Sequence, residues 1–386
     1  MTIKSLLIAN RGEIAIRIAR AAAELGIRTV AVHSEDDSRA LHVRKVDEAR
    51  PLAGVGAAPY LDIEQIVQVA VAAGCDAVHP GYGFLSENAQ LARRCGEVGL
   101  TFVGPAPEVL ELFGDKAQAR ALAQRMQVPV IPGTPAPVDL AQARAFLASL
   151  GEGGAMVIKA VAGGGGRGMR VVTSADALEE AFARCESEAR AAFGNGDLYL
   201  ERLMPVARHI EIQVIGDGSG AVSHLWEREC SLQRRHQKLV EFAPSPSLDP
   251  ALRDRLLADA VKMASAARYR GLGTFEFLID AREGSQDYAF IEANPRLQVE
   301  HTVTEMVTGI DLVQAQLRIA AGQTLAAIGL EQAKVPAPRG LAVQLRVNME
   351  TMQPDGSARP SGGTLSAFEP PSGPGVRVDT MGYAGY

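Results

Sequence analysis

The segment Gly273–His301 reads GTFEFLIDAREGSQDYAFIEANPRLQVEH, and its two apolar runs predict a pair of β-strands joined by a polar loop. In the first strand, Glu276 lies between two phenylalanines, so strand alternation puts its carboxylate on the face opposite two buried rings. In the second strand, Glu292 and Asn294 are two residues apart and share a face. If the two strands pair, two carboxylates and an amide oxygen converge at close range.

Such a convergence of acids predicts a cation site. Two neighbouring carboxylates repel each other unless one binds a proton or both share a cation. Oxygen-only ligand sets are preferred by Mg²⁺ and Mn²⁺, and these ions bridge protein carboxylates to nucleotide phosphates. The alternative is a pair of solvated acids on an edge strand. The pattern favours a nucleotide-linked metal site over that alternative.

The residues around this strand pair predict the handling of a small oxyanion. Arg296, Gln298 and Glu300 follow at alternate positions, which would place a guanidinium, an amide and a carboxylate in one line. The upstream run ECSLQRRHQKLVEF adds further polar groups, among them Gln233, His236 and Lys238. A charged run of this kind is also typical of a solvated face. Beside a metal-bound phosphate, these groups suit holding an oxyanion and removing its proton.

A glycine-rich loop predicts a second contact with phosphate. The stretch KAVAGGGGRGMRVV runs from Lys159 to Val172, and strand-like runs flank its glycines. Successive backbone N–H groups without Cβ atoms form an anion-binding concavity. The loop is not a Walker A motif, because it lacks the GK[ST] end and a strand follows it. Lys159 and Lys116 would supply charge to phosphate oxygens, and a mobile surface hairpin is the alternative.

The amino-acid composition is typical of an ordinary globular protein and argues against several classes of function. The 386 residues are 47% hydrophobic and 22% charged, which is enough for two or three domains with real cores. A net charge of -6 argues against a nucleic-acid partner or an anionic membrane surface. The four cysteines form no CxxC pair, which favours reduced thiols and a cytoplasmic location. No apolar run is long enough to predict a transmembrane helix.

The order of apolar and amphipathic segments predicts an α/β chain in several parts. From Ser5 to about Phe113, strands alternate with helices, as in a doubly wound domain with a parallel sheet. NAD or FAD binding is disfavoured there, because the turn ANRGE has one glycine where the dinucleotide fingerprint needs three. A proline-rich linker precedes a compact module that carries the glycine loop and reads as a separate lid. The stretch His209–Glu229 then predicts an antiparallel hairpin.

Taken together, these motifs resemble the biotin carboxylase family of ATP-grasp enzymes. The resemblance extends from LIANRGEIAIRI through HPGYGFLSEN, GGGGRGM, ERECSLQRRHQK and FIEANPRLQVEHTVTE to YAGY. It implies a doubly wound N-terminal domain at residues 1–114 and an ATP-grasp domain at 115–330, with a mobile lid at about 131–203. Residues 331–386 would begin a C-terminal domain. Family members usually continue past YAGY, so we expect that domain to be incomplete and the chain to be a fragment.

The resemblance also implies a role for each matching residue. The residues that would contact ATP are Lys116, Lys159, Gly165, Gly166, Glu201, Met204, His209, Gln233, His236, Glu276 and Glu292. Two Mg²⁺ or Mn²⁺ ions would be held by Glu276, Glu292 and Asn294. Bicarbonate would be bound by Lys238, Arg296, Gln298 and Val299. Lys238, Arg296, Glu300 and Arg346 would be catalytic, with Glu300 deprotonating bicarbonate and Arg346 stabilising the enolate of biotin.

The implied reaction is ATP- and bicarbonate-dependent carboxylation of biotin through carboxyphosphate, the first half-reaction of an acyl-CoA or pyruvate carboxylase. The sequence has no MKM biotinylation site. Biotin would therefore arrive on a carrier domain that works with a carboxyltransferase, in the same longer chain or in separate subunits. The resemblance also implies a homodimer. Two alternatives stay open, namely a carbamoyl-phosphate synthetase half and a catalytically silent nucleotide-binding module.

Overall fold

The computed structural model describes residues 2–134, 137–161, 168–235 and 237–386. Three of the predicted ATP contacts, Gly165, Gly166 and His236, lie outside the described residues. Within them, three larger units follow one another along the chain: a parallel sheet, a small three-stranded unit and a large antiparallel sheet.

The first unit is a five-stranded parallel sheet with helices on both faces, in the strand order β3-β2-β1-β4-β5. Its elements are β1 (Ser5–Ile8), α1 (Gly12–Glu24), β2 (Arg28–His33), β3 (Glu48–Pro51), α2 (Ile63–Ala72), β4 (Ala77–His79), α3 (Ala89–Glu97), β5 (Thr101–Phe102) and α4 (Pro107–Gly114). In β1, Leu6 and Ile8 share a core with α1, whereas Leu7 shares one with α2 and α3. Burial on both faces explains the uninterrupted apolar run of this strand. The predicted doubly wound fold is confirmed.

A small unit with its own core follows the helix α5 (Lys116–Arg125). It consists of α6 (Leu140–Ser149), β6 (Met156–Ala160), β7 (Met169–Val172), α7 (Leu178–Phe193) and β8 (Leu198–Arg202). The strands form an antiparallel sheet in the order β7-β6-β8. Their apolar side chains pack with α6 and α7 into a separate hydrophobic cluster. A separate core is what allows such a unit to move as one body.

The main sheet is antiparallel and six-stranded, in the order β13-β12-β9-β10-β11-β14. The remaining elements are β9 (Ala207–Asp217), β10 (Val222–Arg234), β11 (Gln237–Ala243), α8 (Pro250–Ala266), β12 (Arg270–Asp280), β13 (Tyr288–Asn294), α9 (His301–Thr308), α10 (Leu312–Ala320), β14 (Ala342–Leu345), β15 (Glu350–Met352) and β16 (Ala358–Pro360). The hairpin predicted at 209–229 is formed by β9 and β10.

The predicted pairing of the two acidic strands is confirmed. Strand β12 pairs antiparallel with β13, and Glu276 stands directly opposite Glu292. A β-bulge follows Glu276. On the other face of β12, Phe275 and Phe277 are fully buried in an aromatic cluster with Phe290. The rings fix which face the acids occupy, because a shift of one residue would exchange the two faces.

The parallel sheet and the main sheet share one hydrophobic core. Leu272 of β12 belongs to the same buried cluster as Leu6 and Ile8 of β1. In addition, the Arg270 guanidinium donates through Nε to the carbonyl oxygen of Gly104, at 3.2 Å. The N-terminal unit is therefore fixed against the sheet that carries the acidic strands.

Two expectations drawn from composition can be compared with the described residues. All four cysteines are free and buried, in agreement with reduced thiols. In the described part of the chain, no helix combines the length and the apolar character needed to cross a membrane.

We expect Leu272→Ala to destabilise the chain by about 2–5 kcal/mol, because the cavity would open in the core between the two sheets. The matched control is Leu232→Ala, whose side chain is 52% exposed and whose loss should cost no more than about 0.5 kcal/mol. Urea unfolding followed by fluorescence reports the difference, because Trp226 of β10 is the single tryptophan. Equal losses in the two variants would contradict a shared core.

Candidate active site

The centre of the site is an ammonium group surrounded by three carboxylates. The Nζ atom of Lys238 lies 2.6 Å from a Glu211 oxygen, 2.7 Å from a Glu276 oxygen and 2.8 Å from a Glu300 oxygen. Lys238 comes from β11, and the acids come from β9, from β12 and from the residue that precedes α9. The sheet order brings three of these segments together, and the turn that leads into α9 adds the fourth.

Burial and charge act in opposite directions on these groups. Burial alone would raise the pKa of Glu276 and Glu300, but Lys238 and neighbouring cations hold both values below the ordinary range. Burial alone would lower the pKa of Lys238, but its three carboxylate partners raise it well above the ordinary value. Each acid side chain is 3% exposed or less. At neutral pH Lys238 is therefore an ammonium ion, and Glu276 and Glu300 are ionised.

Glu276 has two further partners. The His209 Nε2 atom lies 2.6 Å from its second oxygen, and the Asn294 amide donates to its first oxygen at 2.8 Å. His209 is in turn 3.0 Å from the amide nitrogen of Gln233. His209 and Glu211 are two residues apart on β9, and both point toward Glu276. Histidine, carboxylate and amide groups thus meet at one edge of the acid pair.

The residues predicted to hold Mg²⁺ or Mn²⁺ all offer oxygen atoms, which are the ligands these ions prefer. Glu276 and Glu292 are cross-strand neighbours, and Asn294 offers an amide oxygen two residues away. In this structure Glu276 faces Lys238 and His209, whereas a Glu292 oxygen lies 3.7 Å from the Lys116 ammonium. A lysine therefore neutralises each acid of the pair.

Arg346 bridges two acids, one of which is also a partner of Lys238. It donates to a Glu300 oxygen at 2.9 Å and to a Glu241 oxygen at 2.7 Å. Its backbone N–H donates to the Leu239 carbonyl at 3.0 Å, just beyond the end of β14. Burial raises the pKa of Glu241 to about 7. The guanidinium is thus held by one ionised acid and by a second that titrates near neutrality.

The prediction that Arg296, Gln298 and Glu300 continue in one line is wrong. Strand β13 ends at Asn294, because the following Pro295 has no N–H for the sheet ladder. The chain then turns, and the Arg296 N–H donates to the Asn294 carbonyl at 2.8 Å. Glu300 becomes the residue that precedes α9. The alternation of a strand cannot describe a segment that leaves the sheet.

Arg296 is nevertheless close to the predicted partners. It donates to the Asn294 side-chain oxygen at 3.2 Å and to the Gln298 side-chain oxygen at 3.1 Å, and it pairs with Glu87 of the N-terminal unit. Gln298 is buried, and its amide nitrogen has no hydrogen-bond partner among the described residues. Val299 is half-buried beside it. A buried, unpartnered N–H group is a donor available to an anion.

Lys159 and Glu201 form a second ion pair. Lys159 lies on β6 and Glu201 on β8, and their side chains are in direct contact. The second oxygen of Glu201 contacts Arg120 of α5. Met204 is half-buried just beyond β8. Among the described residues, the predicted ATP contacts therefore lie in two groups, one around Glu276 and one around Glu201.

Sequence reasoning assigned no role to several residues of these networks, among them Glu211, Arg228, Glu241 and Arg120. Glu211 holds Lys238, and the buried Arg228 donates to Glu211 and to Gln213. Glu241 and Arg120 are the partners already described. Two signals were available, because Glu211 is two strand residues from His209 and Arg120 is one helical turn from Lys116. Arg228 and Glu241 have no comparable signal.

Two family models match the chain. The model described as "Biotin carboxylase, N-terminal domain" matches residues 2–110. The model described as "Carbamoyl-phosphate synthase L chain, ATP binding domain" matches residues 115–328. The second match alone covers more than half of the chain.

Known proteins resemble the chain over nearly its whole length. Pyruvate carboxylase of Schizosaccharomyces pombe is 50% identical over 386 residues, which cover 98% of this chain and 32% of that protein. The structure of a biotin carboxylase ATP complex from Campylobacter jejuni is 42% identical with a TM-score of 0.93, and the match covers 100% of this chain and 84% of that one. The Hydrogenobacter thermophilus 2-oxoglutarate carboxylase biotin carboxylase domain dimer, solved with MgADP, ADP and bicarbonate, is 44% identical with a TM-score of 0.92, over 100% and 83% of the two chains.

These similarities confirm the family and the fold class expected from the sequence. The chain spans about a third of the length of the curated relatives it matches. It spans 84% of the Campylobacter jejuni biotin carboxylase. An N-terminal parallel sheet followed by an ATP-grasp domain is common to these proteins and to this chain. The chain belongs to the biotin carboxylase family.

Proposed function

We propose that the chain catalyses the ATP- and bicarbonate-dependent carboxylation of biotin through carboxyphosphate. The observation that carries the proposal is the cluster of Lys238 with three buried carboxylates, next to the paired Glu276 and Glu292. An acidic edge suits metal-bound phosphates, and the adjoining cations suit a small oxyanion. Lys238 of the proposed bicarbonate site contacts Glu276 of the proposed metal site at 2.7 Å, which supports transfer of a phosphoryl group to bicarbonate.

The proposed nucleotide contacts surround the acid pair. Glu276, Glu292 and Asn294 would hold two Mg²⁺ or Mn²⁺ ions, which would supply charge neutralisation at the transferring phosphoryl group. The proposed protein contacts to ATP in the described part are Lys116, Lys159, Glu201, Met204, His209 and Gln233. Gly165, Gly166 and His236, outside the described residues, are proposed to complete the contact. The MgADP bound by the Hydrogenobacter thermophilus relative supports this assignment.

The proposed bicarbonate site uses Lys238, Arg296, Gln298 and Val299. The unpartnered Gln298 amide nitrogen supports it, because a bicarbonate oxygen would satisfy that donor. Glu300 is the proposed base. In this structure its carboxylate accepts from Lys238 and Arg346, which lowers its basicity. Bicarbonate would compete for these cations, and the pKa of Glu300 would then rise toward a value suited to accepting a proton.

The chemical steps follow from these contacts. Glu300 takes the bicarbonate proton, and the carbonate oxygen attacks the γ-phosphorus of ATP, so that ADP leaves and carboxyphosphate forms. Breakage of the C–O bond of carboxyphosphate releases CO₂ and phosphate. Phosphate takes the N–H proton of the biotin ureido group, and Arg346 stabilises the resulting enolate oxygen. The ureido nitrogen then attacks CO₂ to give carboxybiotin.

Water must be kept away from carboxyphosphate, which would otherwise hydrolyse. We propose that residues about 131–203 form a lid that closes over ATP, since this segment contains the small unit with its own core. We also propose domains at 1–114, 115–330 and 331–386. The positions of the two family matches support the first boundary.

The partners follow from the relatives. We propose that biotin is presented by a carrier domain and that a carboxyltransferase uses the product, as the length of the matching pyruvate carboxylases suggests. The dimer named for the Hydrogenobacter thermophilus domain supports a homodimer. The final acceptor, pyruvate or an acyl-CoA, would bind the transferase. A cytoplasmic location stays a prediction from the reduced cysteines.

The test is ATP hydrolysis measured with bicarbonate, with and without free biotin. We expect hydrolysis that requires bicarbonate and is stimulated by biotin. Stimulation by ammonia in place of biotin would instead indicate carbamoyl-phosphate chemistry. ATP binding without hydrolysis under any of these conditions would indicate a silent nucleotide-binding module.

We expect Glu300→Gln to lower the bicarbonate-dependent rate by about 10²–10⁴-fold, because the amide cannot accept the bicarbonate proton. ATP affinity should change by less than about threefold, since Glu300 contacts Lys238 and Arg346 rather than the proposed nucleotide groups. Glu283→Gln, in the exposed loop between β12 and β13, is the control and should leave both values unchanged. Equal loss of ATP binding and rate in Glu300→Gln would contradict the assigned role.

A pH dependence is expected from Glu241, the buried partner of Arg346. Its pKa of about 7 exceeds the value of about 4.3 expected in the unfolded chain. The folded chain therefore holds this proton more tightly, and the stability gained is complete below about pH 4 and lost as the pH rises through about 7. Glu241→Gln cannot ionise. Relative to wild type, its free energy of unfolding should improve by at most about 3 kcal/mol between about pH 5 and pH 8.

Urea unfolding of both proteins at the two pH values measures this difference. Glu283→Gln serves again as the control, because its side chain is exposed and its effect should not depend on pH. A Glu241→Gln effect that is the same at both pH values would contradict a shifted pKa.

A further inference from the structure

We propose that Arg120 is a positioning residue of the hinge between α5 and the small unit, and that it keeps the Lys159 ammonium available to ATP. This inference rests on the proposed ATP-binding role of Lys159. Arg120 is not among the proposed ligands. It would act through Glu201, which it shares with Lys159.

Two segments of the chain join the small unit to the rest of the structure, and the Arg120 side chain contacts both of them. Its Nη2 atom donates to the carbonyl oxygen of Ile131 at 2.8 Å, on the segment that leads into the small unit. Its Nη1 atom donates to Glu201, on the strand that leads out. The guanidinium is a planar fork, so it can hold both acceptors at once. The Arg120 side chain is 11% exposed and that of Glu201 2%.

The two crossings are also paired through their backbones. The Thr134 N–H donates to the Leu200 carbonyl at 3.0 Å, and the Arg202 N–H donates to the Pro132 carbonyl at 2.8 Å. A Cβ atom at Gly133 would lie 2.4 Å from the Leu200 carbonyl oxygen, so the close approach requires glycine there. Just before it, Pro129 is tied to the main sheet by the Phe290 N–H, at 2.8 Å. The hinge thus consists of the two paired segments 131–134 and 200–202, called the neck below, and Arg120 contacts both.

Charge explains why a second cation is needed beside Glu201. Glu201 is buried and contacts Lys159 with one oxygen and Arg120 with the other. The three groups together carry one net positive charge, which is available to a polyphosphate. Without Arg120, Glu201 would neutralise Lys159 alone, and the net charge that faces the phosphates would vanish. Attraction between Lys159 and ATP would weaken accordingly.

Helix α5 connects this neck to the acid pair. Lys116 is the first residue of α5 and approaches Glu292, and Arg120 lies one turn further along the same side of the helix. The side chain of Asp115 caps the helix by accepting from the backbone N–H groups of Ala117 and Gln118. One capped helix therefore sets the positions of two groups, one at each proposed ATP contact region.

The experiment compares three variants of the 386-residue chain: Arg120→Met, Arg120→Lys and the control Arg125→Met. Methionine keeps much of the side-chain length without charge, and lysine restores the charge but cannot hold both acceptors. Arg125 is an exposed arginine at the end of the same helix. Affinity for the Mg²⁺ complex of a non-hydrolysable ATP analogue is measured by calorimetry. The KM values for ATP and for bicarbonate are measured where activity is present.

We expect Arg120→Met to weaken binding of the analogue by about tenfold or more and to raise the KM for ATP in parallel, with the KM for bicarbonate within about twofold of wild type. Arg120→Lys should recover affinity to within about threefold, and Arg125→Met should match wild type. A merely structural arginine would lower the melting temperature without this selective effect on ATP. Affinity of Arg120→Met within about twofold of wild type would overturn the proposal.

If Arg120→Met fails to fold, Arg120→Gln decides, because glutamine is also neutral but keeps a hydrogen-bond donor for Glu201. Affinity of the glutamine variant about tenfold below wild type supports the proposal, and affinity within about twofold of wild type would overturn it. Failure of the proposed function is distinguishable, because it would appear as wild-type protein that binds the analogue but shows no bicarbonate-dependent hydrolysis. The effect of Arg120 on analogue binding would still be measured in that case.

Discussion

The site depends on the contact of one lysine with three buried carboxylates. Removing an ion from water costs several kcal/mol, and Glu211, Glu276 and Glu300 each incur that cost. Lys238, Arg228, His209 and Arg346 supply the compensating charges and hydrogen bonds. Without the ammonium, three acids would lie within a few ångströms of one another with too few cations between them. The same contact thus holds β9, β11, β12 and the start of α9 together and prepares a place for an oxyanion.

Sequence reasoning succeeded where the relevant residues are local. The opposition of Glu276 and Glu292 follows from strand alternation and from one short connection, and both can be judged from neighbouring residues. The central place of Lys238 could not be predicted in this way, because its partners are 27, 38 and 62 residues distant along the chain. Only the order of strands in the sheet and the turn before α9 bring them together. Strand alternation gave a wrong prediction for the residues after Asn294, because Pro295 ends the strand and the chain turns there.

The N-terminal unit contributes to the site through packing rather than through a ligand-binding motif of its own. Its β1 shares a core with β12, which keeps the parallel sheet fixed beside the acidic strands. From that position, Glu87 reaches Arg296. The proposed bicarbonate site is therefore made by two units, although the sequence motifs for it lie in one. A shared core is the physical reason that a distant segment can supply a partner at the right place.

The proposed substrate-binding cations have one property in common. Each of them contacts a carboxylate of the chain: Lys116 with Glu292, Lys159 with Glu201, Lys238 with Glu211, Glu276 and Glu300, Arg296 with Glu87, and Arg346 with Glu241 and Glu300. An unpaired buried cation would be costly before any substrate arrives. If ATP and bicarbonate bind as proposed, each cation exchanges one anionic partner for another. The Coulomb attraction that a cation loses when it leaves its carboxylate is then largely replaced by its attraction to the substrate. Such an exchange lets a densely charged site fold without ligand and still bind polyanions.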